Sequence, residues 1–184
     1  MRIRRSLIDL DDLSAADLAY IFKRTAEFER ESPRELLHGC VCANMFFEQS
    51  TRTFTSFNLA ELRLGADVVN LSPRDLSLAK GETIEDTAIS LGAMGVDVLV
   101  VRHPESGFAE RLGAVFDGHV VNAGDGTHAH PTQALLDMYT LIEEFGGLEG
   151  RTVAIVGDVA HSRVAHSLIA GLKHAHADVV LVGP

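Results

Sequence analysis

The sequence predicts an α/β fold: a parallel sheet flanked by helices, followed by the first βαβ unit of a second α/β domain. Two observations carry this prediction. Apolar runs of strand length alternate with longer stretches whose apolar residues recur at helical spacing, the pattern of a parallel sheet covered on both faces. The same alternation restarts after a glycine-rich break, Gly146-Gly147-Leu148-Glu149-Gly150.

Each element has its own signal. Ser14-Ala15-Ala16-Asp17 has the form of a capping box and opens a helix with Leu18, Ile21, Phe22 and Thr25 on one face. Residues 41–47, bounded by Gly39 and Glu48, are an apolar strand. A helical pattern over 53–64 stops at Gly65, which suits the left-handed position past a helix end. Residues 68–71 read as a strand, 83–94 as a helix closed by Gly95, and 96–101 as a buried strand. A further helix covers 108–115, and a short strand 119–122. Pro131 fits a first helical position, where its missing N–H has no partner to lose, and that helix reaches Phe145. After the break come a strand at 152–156, a helix at 162–174 and a strand at 179–182.

The expected division is 1–130 as one domain, 131–150 as connecting helix and linker, and 151–184 as the start of a second. One βαβ unit cannot enclose a core alone, so 152–184 should leave a sheet edge and an apolar helix face uncovered.

The chain has 184 residues, 46% of them apolar, an ordinary content for a globular protein. Its 26 acidic side chains outnumber 16 basic ones, for a net charge of −10. Phosphate-backbone affinity comes from clustered Lys and Arg, so nucleic acid is not an expected partner. No apolar run approaches the ~20 residues of a membrane helix, and no membrane partner is expected. Asp9, Asp11 and Asp12 fall where a signal peptide would place its apolar core, and a cytoplasmic location follows as the expectation. Cys40 and Cys42 are too few for a disulfide framework or a structural zinc site.

Loops at the carboxyl ends of parallel strands line the ligand crevice, and three of them carry unusual chemistry. Ser50-Thr51-Arg52-Thr53 joins hydroxyls, a guanidinium and backbone N–H groups at a helix N-terminus, the makings of a phosphate site; the bland alternative is an ordinary cap beside a solvated charge. Arg102, in Val101-Arg102-His103-Pro104, ends the most apolar strand and needs an anionic partner, either a ligand or Glu105 or Glu110. The segment from Asn122 to Gln133 has two glycines for a tight path, then His130 and Gln133 at a helix N-terminus. That location favours a neutral imidazole able to donate to a carbonyl oxygen; capping or surface polar groups are the alternative. His128 and His130 with Asp125 could be half a metal site, but no recognised spacing completes it, and no metal is expected. Residues 72–82 form a long polar loop in which, on composition alone, Lys80 is a solvated charge. Residues 153–159 lack the G-x-G-x-x-G spacing of a dinucleotide site.

Taken in order, Phe46-Phe47-Glu48-Gln49-Ser50-Thr51-Arg52-Thr53, Lys80-Gly81-Glu82-Thr83, Val101-Arg102-His103-Pro104, Asn122-Ala123-Gly124-Asp125-Gly126, His130-Pro131-Thr132-Gln133 and Gly157-Asp158 with Ser162-Arg163 resemble the aspartate/ornithine carbamoyltransferase family. The likeness is to the catalytic chains of its aspartate enzymes. It implies transfer of the carbamoyl group of carbamoyl phosphate to the amine of L-aspartate, the first committed step of pyrimidine biosynthesis. By the same resemblance, Ser50, Thr51, Arg52 and Thr53 hold the phosphate, and Arg102 bridges the phosphate and the carbamoyl oxygen. His130 and Thr53 polarise that oxygen, and Gln133 binds the carbamoyl amino group. Lys80 reaches into a neighbouring subunit's site in a homotrimer with shared sites. Arg163 binds a carboxylate of aspartate, and Glu48 ties the two domains together. No cofactor is implied; a regulatory chain or a dihydroorotase remains open as a further partner.

His-Pro-Thr-Gln and the Lys-Gly-Glu loop resemble the aspartate rather than the ornithine enzymes. Phe54 stands where many members carry Arg or Lys, Asn58 where Glu is frequent, and Leu76-Ser77 replaces a common Ser-Ser pair. Family members continue well past Pro184, so the resemblance implies a chain truncated in the second domain; were 184 residues the natural product, the aspartate half-site would be incomplete. A non-catalytic carbamoyl-phosphate-binding or assembly module is the alternative that this leaves.

Overall fold

The computed structural model describes residues 6–31, 33–72 and 81–184. Helix α1 is Ala15–Arg30, followed by strand β1 at Val41–Phe46, α2 at Thr51–Arg63, β2 at Asp67–Leu71 and α3 at Ile84–Ala93. Then come β3 at Val98–His103, α4 at Phe108–Val115, β4 at His119–Asp125 and α5 at Pro131–Phe145. The chain continues with β5 at Thr152–Val156, α6 at Arg163–His174 and β6 at Asp178–Val182. Both sheets are parallel: four strands in the order β2-β1-β3-β4, and the pair β5-β6. Among the described residues, no helix is long and apolar enough to cross a membrane.

The boundaries depart from the sequence reading where side chains and turns intervene. Helix α2 starts at Thr51, so Thr51 and Arg52 belong to its first turn. Strand β3 starts two residues later than the apolar run, because Val96 N–H still bonds to Leu91 at the end of α3. Asp97 then spends its carboxylate on the N–H of Val41. Strand β4 runs on to Asp125, with a register shift opposite β3 between Val101 and His103. Pairing places Phe46 beside Arg102 and His103 beside Asp125, so the tips of β1, β3 and β4 end level with one another.

Two apolar clusters hold these layers. In one, Ala43, Met45, Leu99, Val101 and Val120 of the larger sheet meet Ala88, Leu91, Phe108 and Leu112 of α3 and α4. In the other, Leu10, Leu18 of α1 and Ala134 and Met138 of α5 meet Leu148, Ala170, Leu172 and Ala177. The expected bare face of α6 is therefore corrected: α5, α1 and the N-terminal segment cover it. Contact is so close that a Cβ at Gly171 would lie 2.5 Å from Met138 sulfur and 2.8 Å from Leu10 Cδ1. The outer face of the small sheet is a different matter, with Val156, Val180 and Val182 all exposed. Residues 6–8 lie along the outer edge of β4, where Leu7 donates to Val120 O and accepts from Asn122 N–H.

A buried polar cluster interrupts the apolar middle of β1. Asn44, at the middle of β1, is fully buried and its Nδ2 donates to Glu61 Oε2 at 2.7 Å and to Asn70 Oδ1 at 3.0 Å. Asn44 Oδ1 and Glu61 Oε1 are buried with no hydrogen-bond partner among the described residues. Burial raises the pKa of the Glu61 carboxyl, against the opposing pull of the Asn44 bond. A proton on that carboxyl supplies a donor to a pair in which both remaining oxygens lack one.

The sign of the resulting pH dependence is fixed. A carboxyl whose folded pKa lies above its unfolded value contributes its full stability below the ordinary carboxylate range, and loses it as pH rises through the folded pKa. Glu61→Gln stays neutral and keeps one donor and one acceptor at the same place. In urea unfolding at a series of pH values, the wild type is expected to lose stability relative to Glu61→Gln as pH rises. A difference that stays constant with pH would show that Glu61 is not held protonated.

Candidate active site

The level strand tips bring most of the predicted residues to one cavity of about 490 Å³, lined by Ser50, Arg52, Thr53, Arg102, His130 and Gln133. Its remaining wall is Ser56, Phe57, Ala60, Thr132 and Leu136. Sequence reasoning missed these, although 53, 56, 57 and 60 recur at helical spacing along one face of α2. Thr51 turns instead to an adjoining cavity with Phe46, Phe47 and Glu48, and Ser50 lines both. Lys80 lies outside the described residues.

At the mouth of α2 the expected cap is not made. Ser50 occupies the N-cap position with no side-chain bond to the helix, and its hydroxyl donates to Thr53 Oγ1 at 2.9 Å. The N–H groups of the first turn therefore carry no capping side chain from Ser50, and Ser50, Arg52 and Thr53 at this helix start line the cavity. That combination favours an anion.

Arg102 finds a carboxylate, but neither of the two expected from sequence. Its Nε donates to Glu48 Oε2 at 3.0 Å and its Nη1 to Ala123 O at 3.2 Å, while Glu105 is paired with Arg111. The reason is register: Phe46 lies opposite Arg102, so the turn after β1 delivers Glu48 alongside it. The same Glu48 oxygen accepts from Arg163 Nη2 of α6 at 3.0 Å, and Arg163 Nη1 donates to Gly126 O. Side-chain exposures of 13% for Arg102, 17% for Arg163 and 28% for Glu48 keep this trio largely out of solvent screening. Burial and the neighbouring Arg163 lower the pKa of Arg102, and Glu48 opposes them.

His130 is the N-cap residue of α5, buried, with its backbone outside the helical region. Its pKa is pushed down to about 4, first by burial and then by Arg102 and Arg163, against a smaller opposite pull from Asp125. The ring is neutral near pH 7, as expected, but desolvation and two guanidiniums are the causes found rather than the helix terminus. Gly124, at φ +114°, lets the loop pass: a Cβ there would lie 3.2 Å from both the Arg163 guanidinium and the His130 ring. Gln133 Nε2 donates to Asp137 Oδ1 at 2.9 Å, which sets its Oε1 as the acceptor end. A residue four places along a helix is the signal by which Asp137 could have been found.

Asp125 organises the loop that carries His130. It is 1% exposed and accepts from Gly107 N–H, Asn122 Nδ2 and Ala129 N–H, with His128 Nδ1 at 3.0 Å. Those donors occupy the carboxylate that the metal reading needed. Among the described residues, no group of three or more His, Cys, Asp or Glu side chains could hold a metal ion.

Residues 5–143 match the model of the aspartate/ornithine carbamoyltransferase carbamoyl-phosphate binding domain. The aspartate carbamoyltransferase catalytic subunit of Caulobacter vibrioides is 53% identical over 178 residues, covering 96% of this chain and 54% of the relative. That of Acidothermus cellulolyticus is 49% identical, covering 98% of this chain and 57% of the relative. The chain thus spans a little over half the length of these curated relatives. Aspartate transcarbamoylase from Trypanosoma cruzi, solved with carbamoyl phosphate and aspartate, superposes with a TM-score of 0.87 at 37% identity, over 95% of this chain and 56% of that one. The catalytic subunit of M. jannaschii aspartate transcarbamoylase gives a TM-score of 0.86 at 35% identity, over 97% of this chain and 60% of that one.

The electrostatics of His130 can be read directly. Its imidazole is expected to titrate with a midpoint of about 4 in a pH series of NMR spectra. Arg163→Gln removes one of the two cations facing it and should move that midpoint upward; no movement would show that Arg163 contributes nothing to the depression.

Proposed function

The chain belongs to the aspartate/ornithine carbamoyltransferase family, and from that premise we propose that its strand-tip cavity is the carbamoyl-phosphate half-site of an aspartate carbamoyltransferase. The observation that carries the reading is the convergence of Ser50, Arg52, Thr53, Arg102, His130 and Gln133 on one cavity. In it, Ser50, Arg52 and Thr53 hold the phosphate with the N-terminus of α2, and Thr51, which lines the adjoining cavity, is assigned its share of the phosphate on the resemblance alone. Arg102 spans the phosphate and the carbamoyl oxygen with the guanidinium N–H groups that are not given to Glu48 and Ala123. Neutral His130 donates to the carbonyl oxygen together with the Thr53 hydroxyl. Gln133 Oε1, oriented by Asp137, accepts from the carbamoyl amino group. Lys80 is assigned its role in a neighbouring subunit's site on the resemblance alone.

The reaction then follows from charge. A neutral aspartate amine attacks the carbamoyl carbon, a C–N bond forms, and the C–O bond to phosphate breaks with its electron pair leaving on phosphate. The amine's proton can pass to that phosphate. Negative charge grows on the carbonyl oxygen in between, so fixed donors aimed there stabilise the transition state more than the ground state. A neutral imidazole suits this task, because it donates without being a charge that already binds the ground-state ligand. Arg163 is proposed to bind a carboxylate of aspartate, and its shared bond to Glu48 supports a tie between residues 1–130 and 151–184 across the connecting helix. A homotrimer in the cytoplasm completes the reading. The relatives' names support aspartate over ornithine as acceptor.

Calorimetric titration with carbamoyl phosphate tests the half-site. Arg52→Ala removes charge-assisted bonds to phosphate and should weaken binding about 10- to 100-fold. Equal affinity in wild type and variant would rule out the loop at residues 50–53 as the phosphate site.

A further inference from the structure

Outside the cavity, a hydrogen-bonded chain reaches His130 from the opposite side. Ser167 of α6 is fully buried; its Oγ donates to Asp9 Oδ1 at 2.8 Å and accepts the His130 backbone N–H at 3.0 Å. A serine hydroxyl rotates freely unless an acceptor fixes its hydrogen, and Asp9 is that acceptor. With the hydrogen committed to Asp9, an Oγ lone pair points at His130.

Asp9 is itself held in place. Its Oδ1 also accepts the N–H of Leu10 at 2.7 Å, and Leu10 is fully buried between α5 and α6. Two residues earlier, Leu7 is bonded to β4 through both its N–H and its C=O. Asp9 Oδ2 lies 4.0 Å from His128 Nε2, and His128 Nδ1 meets Asp125, the residue that folds the loop. Asp9 therefore borders the His130 loop at two points while lining no part of the cavity.

The imidazole has few direct tethers. Thr132 Oγ1 stands 3.5 Å from Nδ1, a long contact, and His130 has no side-chain cap bond at the start of α5. A shift of the backbone to which the ring is attached therefore moves the ring with it. That backbone adopts φ −144° and ψ 71°, outside the helix it precedes, and its N–H is tied to Ser167.

We propose that Asp9 is a positioning residue for His130, acting through Ser167 to aim the imidazole at the carbamoyl oxygen. The proposal rests on the carbamoyl-phosphate reading of the cavity. It makes a specific demand: loss of Asp9 impairs recognition of the carbamoyl group and spares recognition of the phosphate, which is held by the loop at residues 50–53 and Arg102.

The test is calorimetry on the full chain with two probes, carbamoyl phosphate and inorganic phosphate. Asp9→Ala should weaken carbamoyl phosphate about threefold to tenfold, the range of one lost hydrogen bond, with phosphate affinity unchanged. Asp9→Asn keeps an acceptor oxygen for Ser167 and should restore the preference for carbamoyl phosphate. Asp9→Ala combined with Ser167→Ala should lose no more than either change alone, since both break one chain. Equal weakening of both probes by Asp9→Ala would mark a merely structural role and overturn the proposal. So would an unchanged preference in Asp9→Ala. A wild type that binds phosphate and carbamoyl phosphate equally well would instead overturn the reading of the cavity, and this proposal with it.

Discussion

A single carboxylate oxygen shared by two guanidiniums is the interaction on which the site depends. Arg102 and Arg163 come from different parts of the chain and repel one another in a poorly hydrated place. Glu48 Oε2 accepts from both at 3.0 Å and offsets one of the two positive charges. Burying charges is costly unless they are paired, and here the pairing is incomplete by one unit. The surplus cation, with Arg52 and the open start of α2, gives a locally positive cavity on a chain whose net charge is −10. Burial first, and then the same two guanidiniums, hold His130 neutral, so the anion site and the hydrogen-bond donor beside it share one electrostatic arrangement.

Much of this was legible in the residues. Alternating apolar periods gave the parallel order of strands and helices, since period and length are local properties. Ser50, Arg52, Thr53, Arg102, His130 and Gln133 could be nominated because polar and cationic groups at strand ends are costly without a purpose. The partner of Arg102 was not legible. Glu105 and Glu110 are near in sequence, whereas Glu48 is brought near by strand register, a property of two segments paired at a distance. His130 was assigned the right charge state for the wrong main reason, because burial and the position of Arg163 on α6 are tertiary facts. Asp9 gave no signal at all: an aspartate beside two others reads as solvated surface.

The second apolar cluster explains how the small sheet is held. Strands β5 and β6 turn Val153, Ile155 and Val179 toward α5, α6 and α1 rather than relying on a layer of their own. Gly171 allows α6 to settle against Met138 and Leu10, so Arg163 at the start of that helix reaches Glu48 as part of the same packing. Side-chain size in a core thus decides where a cation sits beside Glu48.

The N-terminal segment has a temporal consequence. Ser6 Oγ accepts from the N–H of Val120, 114 positions away, and Asp9 is bonded to Ser167, 158 positions away. Contacts this remote in sequence carry a large loop-closure cost and form late. On a ribosome, Asp9 emerges 158 residues before Ser167, so the histidine loop acquires its final support only when synthesis has passed α6.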